Sequence, residues 1–460
     1  MRRSTRWLAA SGVGVLLLAV VASTASAQEL GPNDRGVEAH TTVADAGFTL
    51  FAPLEQQYTY LMNLDGRVVQ QWRTSTRPGL AQQLLPNGDL VRAGNLEQRG
   101  TFAAGQGAGG RIEQLSWTGQ TLWQRDFADS EQMQHHDIEI MPNGNVLAIV
   151  WERKTAQEAT EAGRGPDLLP DDELWPDKVV EYDPASNAVV WEWHVWDHLV
   201  QELDPARPNY ASDVQQRPER IDLNYVLNDE NGEADWNHLN GVDYNPELDQ
   251  IVLSSRSFSE FWIIDHATTT AEAAGRDGDL LFRYGNPATY DGAGKRTLYF
   301  QHDVGWIDDG LPGAGDILLF NNGAPKIRTF SSADVVVPAT TAEGAYVRDE
   351  ERGGFRAMLQ RVSPKGSKGR FAAIVSGAQR LPNGNTVLTY GNLGHITEVT
   401  PGGKVAWEWE SPYAAMRPTT PGRTGAGFRI YSNWLFTSTR YPPDFSAFVG
   451  KDAQLYPHED

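Results

Sequence analysis

Ile140–Val150, "IMPNGNVLAIV", is the stretch on which the fold turns. A Pro-Asn-Gly-Asn turn joins two short apolar runs there, and Asn-Gly supplies the positive backbone angles of a tight hairpin. The pattern returns at Leu84–Leu90, "LLPNGDL", and at Arg380–Leu388, "RLPNGNTVL". Looser copies lie at Tyr244–Leu253, "YNPELDQIVL", and Trp306–Phe320, "WIDDGLPGAGDILLF". A second hairpin alternates with the first: "DGRVVQQW" (65–72), "TGQTLW" (118–123), "SNAVVWEW" (186–193), "DGDLLFRY" (277–284) and "GGKVAWEW" (402–409). In each, a turn residue feeds a strand of β-branched and aromatic residues.

One hairpin of each kind makes a four-stranded unit of about fifty to seventy residues, the repeat of a propeller blade. Five front hairpins are present, and six back hairpins when a degenerate copy near Gln360–Val375 is counted. The unmatched back hairpin is the first, Thr59–Trp72; its front half is expected from "RIYSNWLFTSTRY" (429–441). The expected fold is all-β: a single-domain, six-bladed β-propeller whose ring closes by pairing N- and C-terminal strands. The tryptophans at these spacings are expected to pack blade against blade. Segments 154–176, 200–235 and 333–355 lack strand alternation and are expected to be long loops, the first two walling a site and choosing its substrates.

Domain limits follow from composition. Residues 1–27 read as a secretory signal: Arg2, Arg3 and Arg6, an apolar run, then "ASA" ending at Ala27. Residues 28–46 form an N-terminal extension, 47–446 the propeller and 447–460 a tail. The chain is expected to be exported, periplasmic or extracellular, with no membrane contact beyond that signal. Without the leader's three arginines, 36 basic residues face 60 acidic ones. Such a surface repels nucleic acid and anionic lipid. No cysteine is present, which excludes disulfides, thiolate metal sites and a cysteine nucleophile.

Three of the ten histidines recur before inner strands. His136 in "QHHD", His238 in "DWNHLNG" and His302 in "QHD" stand ahead of three consecutive blades' innermost runs. Inner strands line the central channel, so their starts converge on one mouth. Arg256 and His238 lie equally far from Glu247, the centre of their hairpin turn, which sets them side by side. Asn240 sits two residues from His238, on the same face of a regular strand. Ser376 holds the equivalent place in blade 5 and Leu80 in blade 1. His135 and His136 should point opposite ways, and His136 is favoured for the channel, with His135 kept as a substrate-binding candidate. His40, His194, His198, His266, His395 and His458 receive no role.

A ring of imidazoles with a guanidinium suits an anion carrying several oxygens. A neutral imidazole is also a nucleophile, and a second imidazole an acid. Three readings follow: transfer of a small anionic group through histidine, a non-catalytic propeller binding sulfate esters or other anions, and a metal-dependent hydrolase. Three histidines suit a transition metal, but Arg256 as neighbour disfavours a cation, so no metal or cofactor is expected.

The stretches 47–54, 134–152, 189–199, 235–266, 299–323 and 377–388 together resemble the bacterial arylsulfotransferases, exported enzymes that use aryl sulfates as donors. The "HxN…SSR" spacing and the paired "HD" motifs carry the likeness. The resemblance implies a six-bladed propeller moving a sulfuryl group from an aryl sulfate to a phenol by a ping-pong route, independent of nucleotide sulfate. His302 matches the histidine that is transiently sulfated. His136 and His238 match those that flank the sulfuryl group or assist proton transfer, and Asn240 and Arg256 match groups holding its oxygens. The cysteine pair of familiar members is absent. Residues 28–46 leave no room for their N-terminal β-domain, so a monomer is slightly favoured.

Overall fold

The computed structural model describes residues 36–451 apart from 98–99, 170, 228–232, 350, 352, 366–369, 414 and 418–429. The leader 1–27 and His458 lie outside the described residues. Among those described, six antiparallel sheets, five of four strands and one of five, account for the β-structure of the ring. Blade 1 runs inside to outside as Arg77–Leu84, Leu90–Asn95, Gly110–Leu115 and Thr121–Asp126. Blade 2 is Gln132–Ile140, Val146–Glu152, Asp177–Asp183 and Ala188–His194; blade 3 is Leu239–Asn245, Gln250–Ser255, Glu260–Asp265 and Phe282–Tyr284. Blade 4 is His302–Trp306, Ile317–Asn321, Ser332–Pro338 and Ala357–Val362; blade 5 is Gly377–Arg380, Thr386–Tyr390, His395–Val399 and Val405–Glu410. Successive inner strands touch in a closed cycle, the defining contact of a six-bladed propeller.

Blade 6 closes the ring. Its inner strand, Leu435–Tyr441, comes from the C-terminal part of the chain and pairs with Phe48–Pro53, Phe48 opposite Tyr441. Tyr58–Met62 and Val68–Arg73 complete it. The closure therefore borrows one strand, not a whole hairpin, because Phe48–Pro53 and Tyr58–Met62 already form a hairpin of their own. A second fastening lies outside: Val37–His40 pairs with Val405–Glu410 as a fifth strand on blade 5, Val37 facing Trp409. One further segment differs from its sequence reading. Ser332–Pro338 is a strand and not part of a loop, since its Val335-Val336-Val337 run packs as third strand of blade 4.

The core lies between blades. Ala81, Val91 and Ile112 of blade 1 pack on Val146, Ala148 and Val150 of blade 2; Val252, Phe261 and Ile263 of blade 3 pack on Val304, Ile317 and Leu319 of blade 4. Polar clasps reinforce each joint. Outside, Trp72 Nε1 donates to Ser116 O (3.1 Å), Trp193 Nε1 to Gly278 O (2.8 Å) and Trp407 Nε1 to Leu64 O (2.8 Å). Each indole thus reaches a turn of the next blade. Inside, the N–H of Val242 donates to Asp137 Oδ2 (3.1 Å), that of Trp306 to Asp243 Oδ2 (2.7 Å) and that of Ala378 to Asp303 Oδ2 (2.7 Å). The aspartates after His136 and His302 therefore hold neighbouring blades together. A buried carboxylate that accepts a backbone N–H contributes about 1.5–3 kcal/mol. Among the described residues no helix is long and apolar enough to cross a membrane.

Candidate active site

Each inner strand of blades 1 to 5 has a left-handed residue within it or just before it. Leu80, His136, His238, Phe300 and Ser376 have φ of 95°, 51°, 49°, 53° and 97°. Left-handed backbone at such residues is held by about 1–3 kcal/mol of surrounding structure, and it re-aims the side chain. In the ladders the irregularity appears as register shifts at Pro78/Gln82, Ala148/Val150, Leu239/Gly241 and His302/Gly305. Repetition around the ring sends the affected side chains to one end of the channel.

There His136, His238, Arg256 and His302 line one cavity of about 560 Å³. The His136 and His238 rings are 4.6 Å apart between centroids, and His136 and His302 are 6.5 Å apart. The N–H of Arg256 donates to His238 O (3.1 Å), and its guanidinium lies 5.0 Å from the Phe300 ring. Among the described residues that guanidinium has no hydrogen-bonded or ion-paired acceptor. The rest of the wall combines polar Glu55, Arg77, Asn95, Glu97 and Gln106 with an apolar part. Leu54, Leu80, Phe102, Ile374, Val375 and Trp434 line it, with Phe436 behind at 6.1 Å from His136 and 6.4 Å from His302. Arg77 closes the rim, bridging Glu55 and Glu97 at 2.8 Å each.

The hydrogen bonds fix which imidazole nitrogens face the cavity. His302 Nδ1 lies 2.8 Å from Asn322 Oδ1 and 3.0 Å from the carbonyl of Phe300. Asn322 Nδ2 is spent on Ala372 O and Val375 O, both 2.8 Å away, so its oxygen faces the ring. With two acceptors at Nδ1, the proton sits there and Nε2 keeps its lone pair. Burial first, and the charge of Arg256 second, push His302 down to about 3, so it is neutral at ordinary pH. His238 Nδ1 lies 2.6 Å from Asp235 Oδ2, and Asp235 Oδ1 accepts from Trp151 Nε1 at 2.9 Å. Burial alone would raise Asp235, but the charge and hydrogen bond of His238 outweigh it and lower the carboxyl. Burial, then the surrounding His238, His135, His302 and Arg256, hold His136 well below the usual imidazole range.

Three expected site residues lie off the cavity wall. His135 is wholly buried, stacked on Trp151 at 3.8 Å, with Nδ1 2.9 Å from His136 Nδ1. It backs His136 instead of facing substrate. Asn240 is buried too: Nδ2 donates to Gln301 O (2.9 Å) and, among the described residues, Oδ1 has no partner. The register shift at Leu239/Gly241 turns it away from the face of His238 that strict alternation assigns. Ser376 Oγ accepts from Gly391 N–H (3.0 Å) and donates to Ile374 O (3.2 Å), so Ile374 and Val375 present the wall at blade 5.

The sequence signature described as Arylsulfotransferase (ASST) matches residues 52–414. The chain belongs to the arylsulfotransferase family. It is an enzyme of the aryl-sulfate sulfotransferase type, and the family's substrates are small aryl sulfates and phenols. No curated protein matches it. Among solved structures, a Bacteroides caccae protein of unknown function is 12% identical, covering 86% of this chain and 99% of that one with a TM-score of 0.45. Virginiamycin B lyase from Staphylococcus aureus is 10% identical over 83% of this chain and 86% of that one, with a TM-score of 0.37.

In this arylsulfotransferase, no described residue of 154–176 or 200–235 is on the cavity wall. Those segments support it from behind, as when Trp175 packs on Phe102 and Trp151. The wall comes instead from Phe102–Ala108, within the glycine-rich "GTFAAGQGAGG" (100–110). Gly107, at φ +84°, lies so close to His136 that a Cβ would overlap the imidazole. That density of glycine was the overlooked signal. Asp235 was legible too, as the first residue of "DWNH", three positions before His238.

Proposed function

We propose that this family member moves a sulfuryl group from an aryl sulfate to a phenol in two steps through His302. The observation that carries the reading is the bare Nε2 of a neutral, buried His302 beside Arg256, His136 and His238 in one cavity. In the first step Nε2 forms a bond to the donor sulfur, and the sulfur–oxygen bond to the ring breaks with departure of a phenolate. The Nδ1 proton remains on the imidazole, held by Asn322 and Phe300 O, as the ring takes on positive charge. In the second step an acceptor phenol oxygen, freed of its proton, bonds to sulfur and His302 leaves neutral.

Arg256 and His238 would offset charge on the three sulfuryl oxygens in the trigonal transition state, an electrostatic contribution as in phosphoryl transfer. The apolar half of the wall, Leu80, Val375 and Phe436 with Leu54 and Ile374, suits an aromatic ring. The basic-apolar leader supports export as the setting for the reaction. Purified mature protein should release nitrophenol from nitrophenyl sulfate, faster when phenol is added, and without an acceptor should accumulate sulfate on His302 by intact mass. Binding of the ester with no covalent product would refute the mechanism.

A further inference from the structure

Behind His136 stands a buried chain of groups that this chemistry does not yet use. His136 Nδ1 meets His135 Nδ1 at 2.9 Å, and His135 Nε2 meets Asp177 Oδ1 at 2.7 Å. The other carboxylate oxygen, Oδ2, accepts from Asn237 Nδ2 and from the N–H of Leu239, both at 2.6 Å. His135 and Asp177 have no solvent exposure, and His135 is clamped flat on Trp151. Of two nitrogens facing each other, only one can hold the proton. The chain therefore has two self-consistent states.

We propose that Asp177, His135 and His136 form a proton relay that lets His136 act as an acid in one half-reaction and as a base in the other. This rests on the transfer reading above; His135 and Asp177 are positioning residues. With Asp177 ionised, His135 carries its proton on Nε2, His136 carries its own on Nδ1, and His136 Nε2 is a bare base. When that Nε2 takes the acceptor phenol's proton, the Nδ1 proton passes to His135 Nδ1 and the His135 Nε2 proton to Asp177 Oδ1. The products are a phenolate poised to attack sulfur, two neutral imidazoles and a neutral carboxyl. In the other half-reaction the same shifts run backwards, delivering a proton from His136 Nε2 to the departing phenolate.

The surroundings favour such a device over a free imidazolium. His136 is faced by His135, His238, His302 and Arg256, and Asp177 by Asp235 and His238. Burial, the adjoining imidazoles and Arg256 make charge on His136 unfavourable, while burial and Asp235 lift Asp177 well above the carboxylate range. Moving the proton on to Asp177 removes a buried charge instead of creating one.

Asp177→Asn tests the relay by locking it. The amide oxygen must stay on the Leu239 N–H, so its NH₂ faces His135 Nε2; this forces the proton to His135 Nδ1 and leaves His136 with its proton on Nε2. The expected result is a nitrophenol burst near the wild-type rate, with transfer from sulfated His302 to phenol slowed about 10–100-fold. An acidic nitrophenol acceptor, already ionised, should restore that transfer. His135→Phe, which keeps a ring on Trp151, should slow both half-reactions with phenol and neither with nitrophenols. Equal slowing of both steps in Asp177→Asn, or of neither, overturns the relay. A wild-type protein that never sulfates His302 sinks the transfer reading alone. The relay then stands or falls on ¹⁵N resonances of the His136 ring: Asp177→Asn must place the proton on Nε2, and a proton on Nδ1 rules the relay out.

Discussion

The two ends of the central channel are built largely from neighbouring residues of the same inner strands, yet one gathers imidazoles and the other carboxyls. One end gathers His136, His238, His302 and Arg256. The other is a pit of about 410 Å³ where Asp137, Glu139, Asp243, Asp303 and Asp308 outnumber Arg380 and Arg440. Burial acts on both and in opposite directions: it depresses the imidazoles of His136 and His302 and raises the carboxyls, with Asp243 and Asp303 pushed up to about 7. The difference lies in what each group touches. At the histidine end, the Nε2 of His302 and the guanidinium of Arg256, which has no hydrogen-bonded acceptor among the described residues, line the cavity. At the acidic end, Asp137, Asp243 and Asp303 are occupied with N–H groups of the next blade. Charge at one end is left available for substrate, and at the other it is used to hold the wheel.

The largest effect expected is at the first end. His302→Asn should remove at least about 10⁴-fold of transfer activity while thermal unfolding stays close to wild type, because the nucleophile is lost without breaking a blade joint. A variant that unfolds, or that keeps its rate, would erase the distinction between the ends. Arg256→Gln should reduce kcat/KM about 10²–10³-fold with a smaller change in donor affinity, the pattern of a group acting on transition-state charge. A loss confined to KM would assign Arg256 to ground-state binding only.

At the second end the ranking of effects reverses. Asp243→Ala should lower stability by about 2 kcal/mol in denaturant unfolding, through loss of the bond from Trp306 N–H, with sulfuryl transfer little changed. The smallest effect expected is on pH dependence. Asp243, whose folded value is raised, contributes stability that is complete below about pH 4 and lost as pH rises through about 7. His135 and His302 have folded values depressed to about 3, so their contribution is present above about pH 6.5 and is lost as pH falls towards 3. Asp243→Asn keeps an oxygen for the Trp306 N–H and removes the titration. Its melting temperature should therefore fall less than wild type between about pH 5 and about pH 8. Parallel profiles would show that the pit carboxyl does not titrate in that window.

Much of this contrast was legible beforehand. The Pro-Asn-Gly turns and Trp-ending strands mark the blades because hairpin and sheet geometry accept few residue types at those places. The convergence of His136, His238 and His302 followed from their common position in the repeat, and the pairing of His238 with Arg256 from counting outward from Glu247. Counting failed where the backbone leaves regular extension. Asn240 and Ser376 follow left-handed or bulged residues, so strict alternation misplaced them. The long loops drew attention for length, whereas the glycine-rich 100–110 reaches the imidazole because it lacks side chains.

What the sequence determined alone is therefore periodic: six repeats, their turns, their packing tryptophans and the histidines set at equivalent places. Tertiary structure decided what periodicity cannot encode. Meetings such as Asp177 with His135, Asn322 with His302 and Asp137 with Val242 join residues well apart in the chain, the first two within a blade and the third between blades, and no local spacing announces them. Those contacts exist only once strands have paired into blades and blades have met, and they orient the imidazoles they touch.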